Sequence, residues 1–367
     1  MSNLSTLKAR RVYTGQTTLN HQEIRIEYGK IVSMHRTQGP FDVENIAPGF
    51  FDTHINGGIH HHFTESPTLD TLIDLYKASF STGTPFLLPC LITSDFATIQ
   101  KGISAIQTFK ENFPTAGVMG MHLEGPFLSP QKRGAHLAKY LMNPTDEILA
   151  ELIAFSKGSI SLMTIAPELF TLDQIKMLQE AGIRLSAGHS NATCEEAQIG
   201  FSAGIECVTH LFNAMSGLGH RSPGLVGATL AHPSVWAPII LDGIHCHWEA
   251  ARVAFKAKPD HLFLISDALF LGKEKKHFKW EEFDARLVGD AYFNSEGNLA
   301  GGALSLPDMM VNAIQQLNIP VQTAVEMCTS RPARAMNLHD QIGYLKPGYP
   351  AIFTCFSDDF QSFEVWQ

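Results

Sequence analysis

The chain has 367 residues, 44% of them hydrophobic and 17% charged, which is enough for one large domain or two ordinary ones. Its 27 Lys and Arg stand against 36 Asp and Glu, a formal net charge of −9 that excludes any general electrostatic pull toward nucleic acid or an anionic membrane. The apolar fraction excludes extended disorder. No apolar run reaches membrane-spanning length, and the first 15 residues hold no apolar core of signal-peptide size. Six cysteines lie scattered without a CxxC pair and read as buried free thiols. Together these features predict a cytoplasmic protein with no membrane and no nucleic-acid partner.

In chain order, residues 1–47 read as short strands with alternating apolar positions, and Tyr28-Gly29-Lys30 reads as a hairpin turn. The middle alternates apolar runs with segments of helical period. The strands are APGFFDTHI, TPFLLPCLIT, GVMGMHLEG, ISLMTIAPE, IRLSAGHS, CVTHLFN, APIILDGIH and HLFLISDA. Helices are predicted over 69–80, 96–113, 146–155, 173–182, 193–204 and 248–257. Near-continuous apolar strands alternating with helices imply a parallel sheet covered on its outer face. Eight such units predict an α/β protein with a (β/α)8 barrel of TIM type over 48–341. A doubly wound open sheet is the alternative, but no GxGxxG follows the first strand. Residues 342–367 return to short strands, so both termini are expected to form one small β-sandwich from 1–47 and 342–367.

Polar residues close the apolar runs. Asp52 and His54 follow the first, His122 and Glu124 end the third, and His189, His210, Asp242 with His245, and Asp267 end the fifth to eighth. In a barrel those strand ends converge on one face, where active sites form. Glu124, His189 and His210 make an N2O donor set suited to zinc, with iron, cobalt or manganese as alternatives, and leave a coordination position open. Hydrogen-bonded core pairs are the competing reading, favoured for one histidine but not for three donors at neighbouring strand ends. Asp267 is placed to move protons as a general base and acid, its bland alternative being a helix cap. His54 is followed two residues later by Asn56, a poor ligand, so one tightly held ion is expected and a second site at His54 is absent or weak. His60, His61 and His62 read as loop surface. KRGAH supplies Lys132, Arg133 and His136, and HRSPG supplies His220 and Arg221. Arg221 reads equally as an anion clamp or a solvated side chain. Asn213, the backbone of Ala214, and a glycine-rich turn at Leu299, Ala300, Gly301 and Gly302 offer further polar approaches to a ligand.

PGFFDTHING, HLEGPF, KRGAH, AGHSNAT, THLFNAM, RSPG, DGIH, SDA and LAGGAL occur in this order over nearly the whole chain. Taken as a set, they resemble the N-acetylglucosamine-6-phosphate deacetylase family of the amidohydrolase superfamily. The resemblance implies the barrel and the small β-sandwich, and hydrolysis of an acetamido group to give glucosamine 6-phosphate and acetate. It implies that Glu124, His189 and His210 hold the metal and that Asp267 is the base and acid. His136 would stabilise the oxyanion. Asn213, Ala214, Arg221 and His245 would hold the phosphate end of a phosphorylated N-acetyl amino sugar, and Ala135 with Leu299, Ala300 and Gly301 would line the sugar pocket. A homodimer with Arg221 acting across its interface is also implied. The galactosamine epimer, another amide hydrolysis and a catalytically silent barrel are the rival functions. The chain departs from the family pattern at Asn56, at Ser266 before Asp267, and in LFLGKEKKHFKWEEFD after Asp267.

Overall fold

A computed structural model describes residues 4–367. Four strands open the chain: β1 (Leu4–Tyr13), β2 (Thr18–Glu27), β3 (Lys30–Arg36) and β4 (Val43–Pro48). Tyr28 and Gly29 both take positive φ, 51° and 71°, which is the geometry of the tight turn predicted between β2 and β3. Eight strands follow: β5 (Phe51–Ile55), β6 (Phe86–Ile92), β7 (Met121–Glu124), β8 (Ile160–Ile165), β9 (Arg184–Ala187), β10 (Cys207–Val208), β11 (Ala237–Ile239) and β12 (Leu262–Leu264). Each lies inside one of the eight apolar runs read from the sequence. Beyond them come β13 (His277–Trp280), β14 (Phe283–Val288), β15 (Ala291–Asn294), β16 (Leu299–Gly302), β17 (Phe353–Phe356) and β18 (Phe363–Trp366).

The helices are α1 (Leu69–Ser81), α2 (Phe96–Asn112), α3 (Asp146–Ser156), α4 (Leu172–Glu180), α5 (Cys194–Ser202), α6 (Gly224–Ala231), α7 (Trp248–Ala257), α8 (Leu306–Leu317), α9 (Val321–Cys328) and α10 (Ser330–Ala335). Side chains set several of their starts. Thr68, Asp95 and Thr145 accept the backbone N–H three residues on, and Thr171 and Thr193 form reciprocal capping boxes with Gln174 and Glu196. Helix α6 escaped the sequence reading because GLVGATLA is apolar on nearly every face and shows no amphipathic period.

Strands β5 to β10 pair in parallel in chain order, and β11 pairs with β12. Val208 N donates to Trp236 O at 2.9 Å, joining β10 to β11, and Asp267 N donates to His54 O at 2.9 Å, joining the end of β12 to β5. The eight strands therefore close into a ring with helices outside. Every residue of β5 and β6 is buried, as expected of strands covered on both faces. The buried Asp52 pins the ring at its seam. Its carboxylate accepts from the backbone of His54 and from the backbone and hydroxyl of Ser266. Asp52 is thus a staple between the first and last strands, and Ser266 is its partner. Burial pushes this carboxyl up to about 6 despite those hydrogen bonds.

Strands from both termini assemble into one six-stranded sheet, in the order β18-β17-β4-β1-β2-β3. Ile24, Ile26, Ile31, Leu345, Tyr349 and Phe353 bury against it in a core of their own. A separate antiparallel sheet, β13-β14-β15-β16, follows the last barrel strand. It was not foreseen, and it corrects one expectation: Leu299–Gly302 is a strand, not a turn. Phe278, Phe283 and Tyr292 of this sheet pack on Leu269 and Phe270, beside Cys90, Ile92 and Ala135. His62 belongs to the same layer, stacked 4.9 Å from the Phe278 ring, and burial pushes it down to about 3. The loop-surface reading holds for His60 and His61, which are exposed, but not for His62. Among the described residues no helix is long and apolar enough to cross a membrane.

Candidate active site

Three site residues sit where the backbone leaves the regular strand. His189, His210 and Asp267 have φ of 47°, 37° and 45°, a left-handed conformation rare outside glycine. Such residues cost on the order of 1–3 kcal/mol each and persist where neighbours hold them. Here Ser129 N donates to His189 O at 2.9 Å, Asn213 N to His210 O at 2.9 Å, and Gly302 N to Asp267 O at 2.7 Å. The left-handed step at each strand end turns these side chains into the mouth of the barrel.

Glu124 is the hub. Its Oε1 lies 3.2 Å from His189 Nε2 and 3.0 Å from His210 Nε2, and those two nitrogens are 3.1 Å apart. A tetrahedral ion with bonds of about 2.0–2.1 Å places its ligands about 3.3 Å from one another, so the triangle has the right size. Proton placement points the same way. His189 Nδ1 is 2.9 Å from the carbonyl of Lys132 and must donate to it, which leaves the Nε2 of a neutral ring bare. That bare nitrogen faces a carboxylate oxygen. His210 is held below its ordinary pKa, first by burial, and its Nδ1 is buried without a partner. Lone pairs converging in a buried space need a cation between them. Burial opposes ionisation of Glu124, but the charge of His54 and the surrounding imidazoles outweigh it and hold the carboxyl well below its usual range.

Around this hub, Asp267 Oδ1 accepts from Asn56 Nδ2 at 2.9 Å and lies 3.2 Å from His54 Nε2. Asn56 is therefore an orienting partner of Asp267. His136 Nε2 is 3.5 Å from Glu124 Oε2, while its Nδ1 is 2.8 Å from Thr93 Oγ1. Burial and the neighbouring His189 push His136 down to about 4, so it is neutral at physiological pH. His245 Nδ1 is 2.6 Å from Asp242 Oδ2, with both side chains nearly inaccessible. Burial opposes the charge on His245, yet the Asp242 hydrogen bond and charge outweigh it and hold the imidazole above its ordinary value.

A cavity of about 330 Å³ opens over these groups, inside the usual range of roughly 300–1,000 Å³ for small-molecule sites. Its walls include Glu124, His189, His210 and Asp267, together with Ala135, His136, Asn213, Ala214, His245, Leu299, Ala300 and Gly301. His54 lies beneath, 2% exposed. Arg221 is the exception among the expected residues: it is exposed on the loop before α6 and does not line the cavity. Arg133 is also not free for a ligand. It donates to Glu296 at 2.6 Å and to the carbonyl of His136 at 3.0 Å, clipping the loop to the β13–β16 sheet. Lys132 of that loop does line the cavity, with its carbonyl against His189 Nδ1. Phe283 and Asn298, which no sequence signal singled out, come from the unforeseen sheet. Thr93 and Cys90 were missed as well, because neither stands in a motif and five of the six cysteines are buried free thiols.

The amidohydrolase family model matches residues 45–365. An N-acetylgalactosamine-6-phosphate deacetylase of Shewanella sp. (strain ANA-3) is 36% identical over 325 residues, 88% of this chain and 81% of that protein. An N-acetylglucosamine-6-phosphate deacetylase of Vibrio furnissii is 30% identical over 331 residues, 89% of this chain and 82% of that protein. The crystal structure of N-acetylglucosamine-6-phosphate deacetylase from Pasteurella multocida superposes with a TM-score of 0.91 at 28% identity, covering 97% of this chain and 96% of that one.

Proposed function

The chain belongs to the amidohydrolase family, and from that premise we propose that it deacetylates N-acetylglucosamine 6-phosphate, releasing glucosamine 6-phosphate and acetate in amino-sugar catabolism or recycling. The observation that carries this reading is the Glu124–His189–His210 triangle with Asp267 beside it, at the floor of a cavity sized for one sugar.

Glu124, His189 and His210 would hold one divalent ion, with zinc best matched to the N2O set and iron, cobalt or manganese as the other candidates. When bound, such an ion lowers the pKa of water and polarises the acetamido carbonyl. Asp267, steadied by Asn56, takes a proton from the attacking water and returns one to the departing amine nitrogen. His136 donates from Nε2 to the carbonyl oxygen as it gains charge. In that tautomer the Thr93 hydroxyl donates to Nδ1 rather than to the Glu124 carbonyl, 3.2 Å away. The strand Leu299–Gly302 and Ala135 flank the sugar. Asn213, the Ala214 backbone and His245 hold the phosphate. Arg221 would complete the phosphate site from the second subunit of a homodimer. Its exposure, and its lack of an ion pair among the described residues, support that role. We read the terminal sheet as a small β-sandwich domain from 1–47 and 342–367, the hydrolase barrel as 48–341, and the cytoplasm as the place of action.

The galactosamine epimer is a second reading, favoured by the 36% identity to the Shewanella enzyme. Steady-state assays on both N-acetylhexosamine 6-phosphates and on the unphosphorylated sugars decide between them. Deacetylation of neither phosphorylated epimer overturns the proposal. Asp267→Asn should keep fold and metal content and lower kcat by about 10²–10⁴-fold. Near-full turnover in that variant removes Asp267 from the proton-transfer role.

A further inference from the structure

A bound phosphate and a reacting carbonyl fix where the third part of the substrate must lie. Asn213 and Ala214 follow β10 and His245 follows β11, so the phosphate end would sit on that side of the mouth. The carbonyl carbon would lie at the centre, between Asp267 and the Glu124–His189–His210 triangle. An amide is planar, and its acyl substituent points away from the nitrogen that carries the sugar. The methyl of an acetamido group therefore runs toward the far side of the mouth. In the ring of strands β6 stands opposite β10, and β7 opposite β11. Ile92 ends β6, and with Leu269 and Phe283 it lines the cavity there. All three belong to one buried apolar cluster. Their side chains offer no hydrogen bond, so this corner suits hydrocarbon and disfavours a polar group.

From this placement we propose that Phe283 sets acyl length: it caps an apolar pocket for the acyl methyl and restricts the enzyme to formyl and acetyl amides of its amino-sugar phosphate. The inference rests on the deacetylase reading and adds to it a specificity residue from outside the barrel. Phe283 stands in LFLGKEKKHFKWEEFD, the stretch in which this chain departs from the family pattern.

Phe283 is held as a stop. It is 3% exposed and opens β14 directly after the turn Glu281-Glu282, across which it pairs with Trp280. That turn is fastened to the loop after β7. Lys139 Nζ lies 2.8 Å from Glu281 and 2.7 Å from Glu282, and the Tyr140 hydroxyl donates to Glu281 at 2.9 Å. The Phe278 ring packs edge-on against Phe283, with centroids 5.8 Å apart. A second cavity, of about 300 Å³, lies on the other side. Ala135 and Phe283 line both cavities, whereas Arg133, Lys139, Glu282 and Glu296 line only the second. The wall between them is therefore made of these two side chains, and Ala135 has little to remove. An acyl chain longer than acetyl meets the Phe283 ring, and truncating that ring joins the two spaces.

The test is a series of N-formyl, N-acetyl, N-propionyl and N-butyryl hexosamine 6-phosphates, assayed on the intact protein by release of the free amine. One methylene in an apolar pocket changes kcat/KM by about 10–200-fold, so propionyl should fall below acetyl by about that factor and butyryl further. Phe283→Ala should raise kcat/KM for butyryl relative to acetyl by about tenfold or more over the parent protein, with Phe283→Leu in between. Melting temperature and bound metal, measured on the same samples, show whether each variant keeps its fold and site. If Phe283→Ala does not fold, Phe283→Leu carries the comparison. Equal kcat/KM for acetyl and butyryl in the parent protein overturns the inference, whatever the variants do. So does an acetyl-to-butyryl ratio that the folded variants leave unchanged. Both of those results leave the deacetylase reading standing, whereas no turnover of any N-acyl sugar overturns it and the inference together.

Discussion

Replacing Asp242 by Asn isolates what the raised pKa of His245 contributes. The Asp242 carboxylate lies 2.6 Å from His245 Nδ1, and neither side chain is more than 3% exposed. Asn keeps a hydrogen-bond acceptor of the same shape but removes the charge that holds the imidazole protonated. In the variant the amide oxygen keeps the backbone N–H groups of Ile244 and His245, so its NH2 faces His245 Nδ1, the ring becomes neutral with Nδ1 accepting, and the nitrogen at the cavity offers phosphate a neutral N–H instead of a charged one. A hydrogen bond to a charged group contributes about 1.5–3 kcal/mol and a neutral one about 0.5–1.5 kcal/mol. The difference, about 1–1.5 kcal/mol, corresponds to roughly a five- to tenfold rise in KM for the 6-phosphate. The assay is steady-state kinetics on phosphorylated and unphosphorylated N-acetylhexosamine from pH 6 to 9. In the unaltered protein KM should rise as pH climbs through the raised pKa of His245, and Asp242→Asn should move that rise to lower pH. Equal losses on both sugars, or an unchanged KM, would refute the assignment of His245 to the phosphate. Stability follows with the same sign. A raised histidine pKa contributes stability that is complete below about 6.5 and is lost as pH rises through the folded-state value. The depressed Asp242 contributes above its unfolded pKa of about 3.9 and loses that contribution as pH falls through its folded value.

Two further outcomes are expected. Gly301 has φ of 125°, and a Cβ there would lie 2.9 Å from Leu269 Cβ and 3.0 Å from Asp267 O, so Gly301→Ala should destabilise by about 1–3 kcal/mol and lower kcat by displacing Asp267. A melting temperature and turnover equal to the parent protein would show that the close approach is not constrained. Chelation should abolish activity and lower the melting temperature, because an ion present at about a thousand times its Kd stabilises the folded state by about 4 kcal/mol. Zinc should restore both, and full activity in thoroughly chelated protein would contradict a metal centre.

The barrel was legible because its strands are covered on both faces. Such strands must be apolar throughout, so the polar residue at each end stands out, and Glu124, His189, His210 and Asp267 could be placed before any coordinates. Helix starts at Thr145, Thr171 and Thr193 were marked by the side chains that cap them. The β13–β16 sheet was not legible: its strands are short, and it is held by contacts to loops of the barrel mouth far apart in sequence, such as the Arg133–Glu296 pair.

What the sequence by itself determined was the order of apolar runs and the donor types at their ends, since both are properties of local pattern. Only the tertiary structure decided how those donors face one another. It turned Asn56 from a failed ligand into the partner of Asp267, made Asp52 a seam staple, took Arg133 and Arg221 out of the cavity wall, and brought Cys90 beside His54. The physical reason is that a side chain's role depends on its neighbours across the ring. Those are set by strand pairing and by left-handed turns at His189, His210 and Asp267, which no local period encodes.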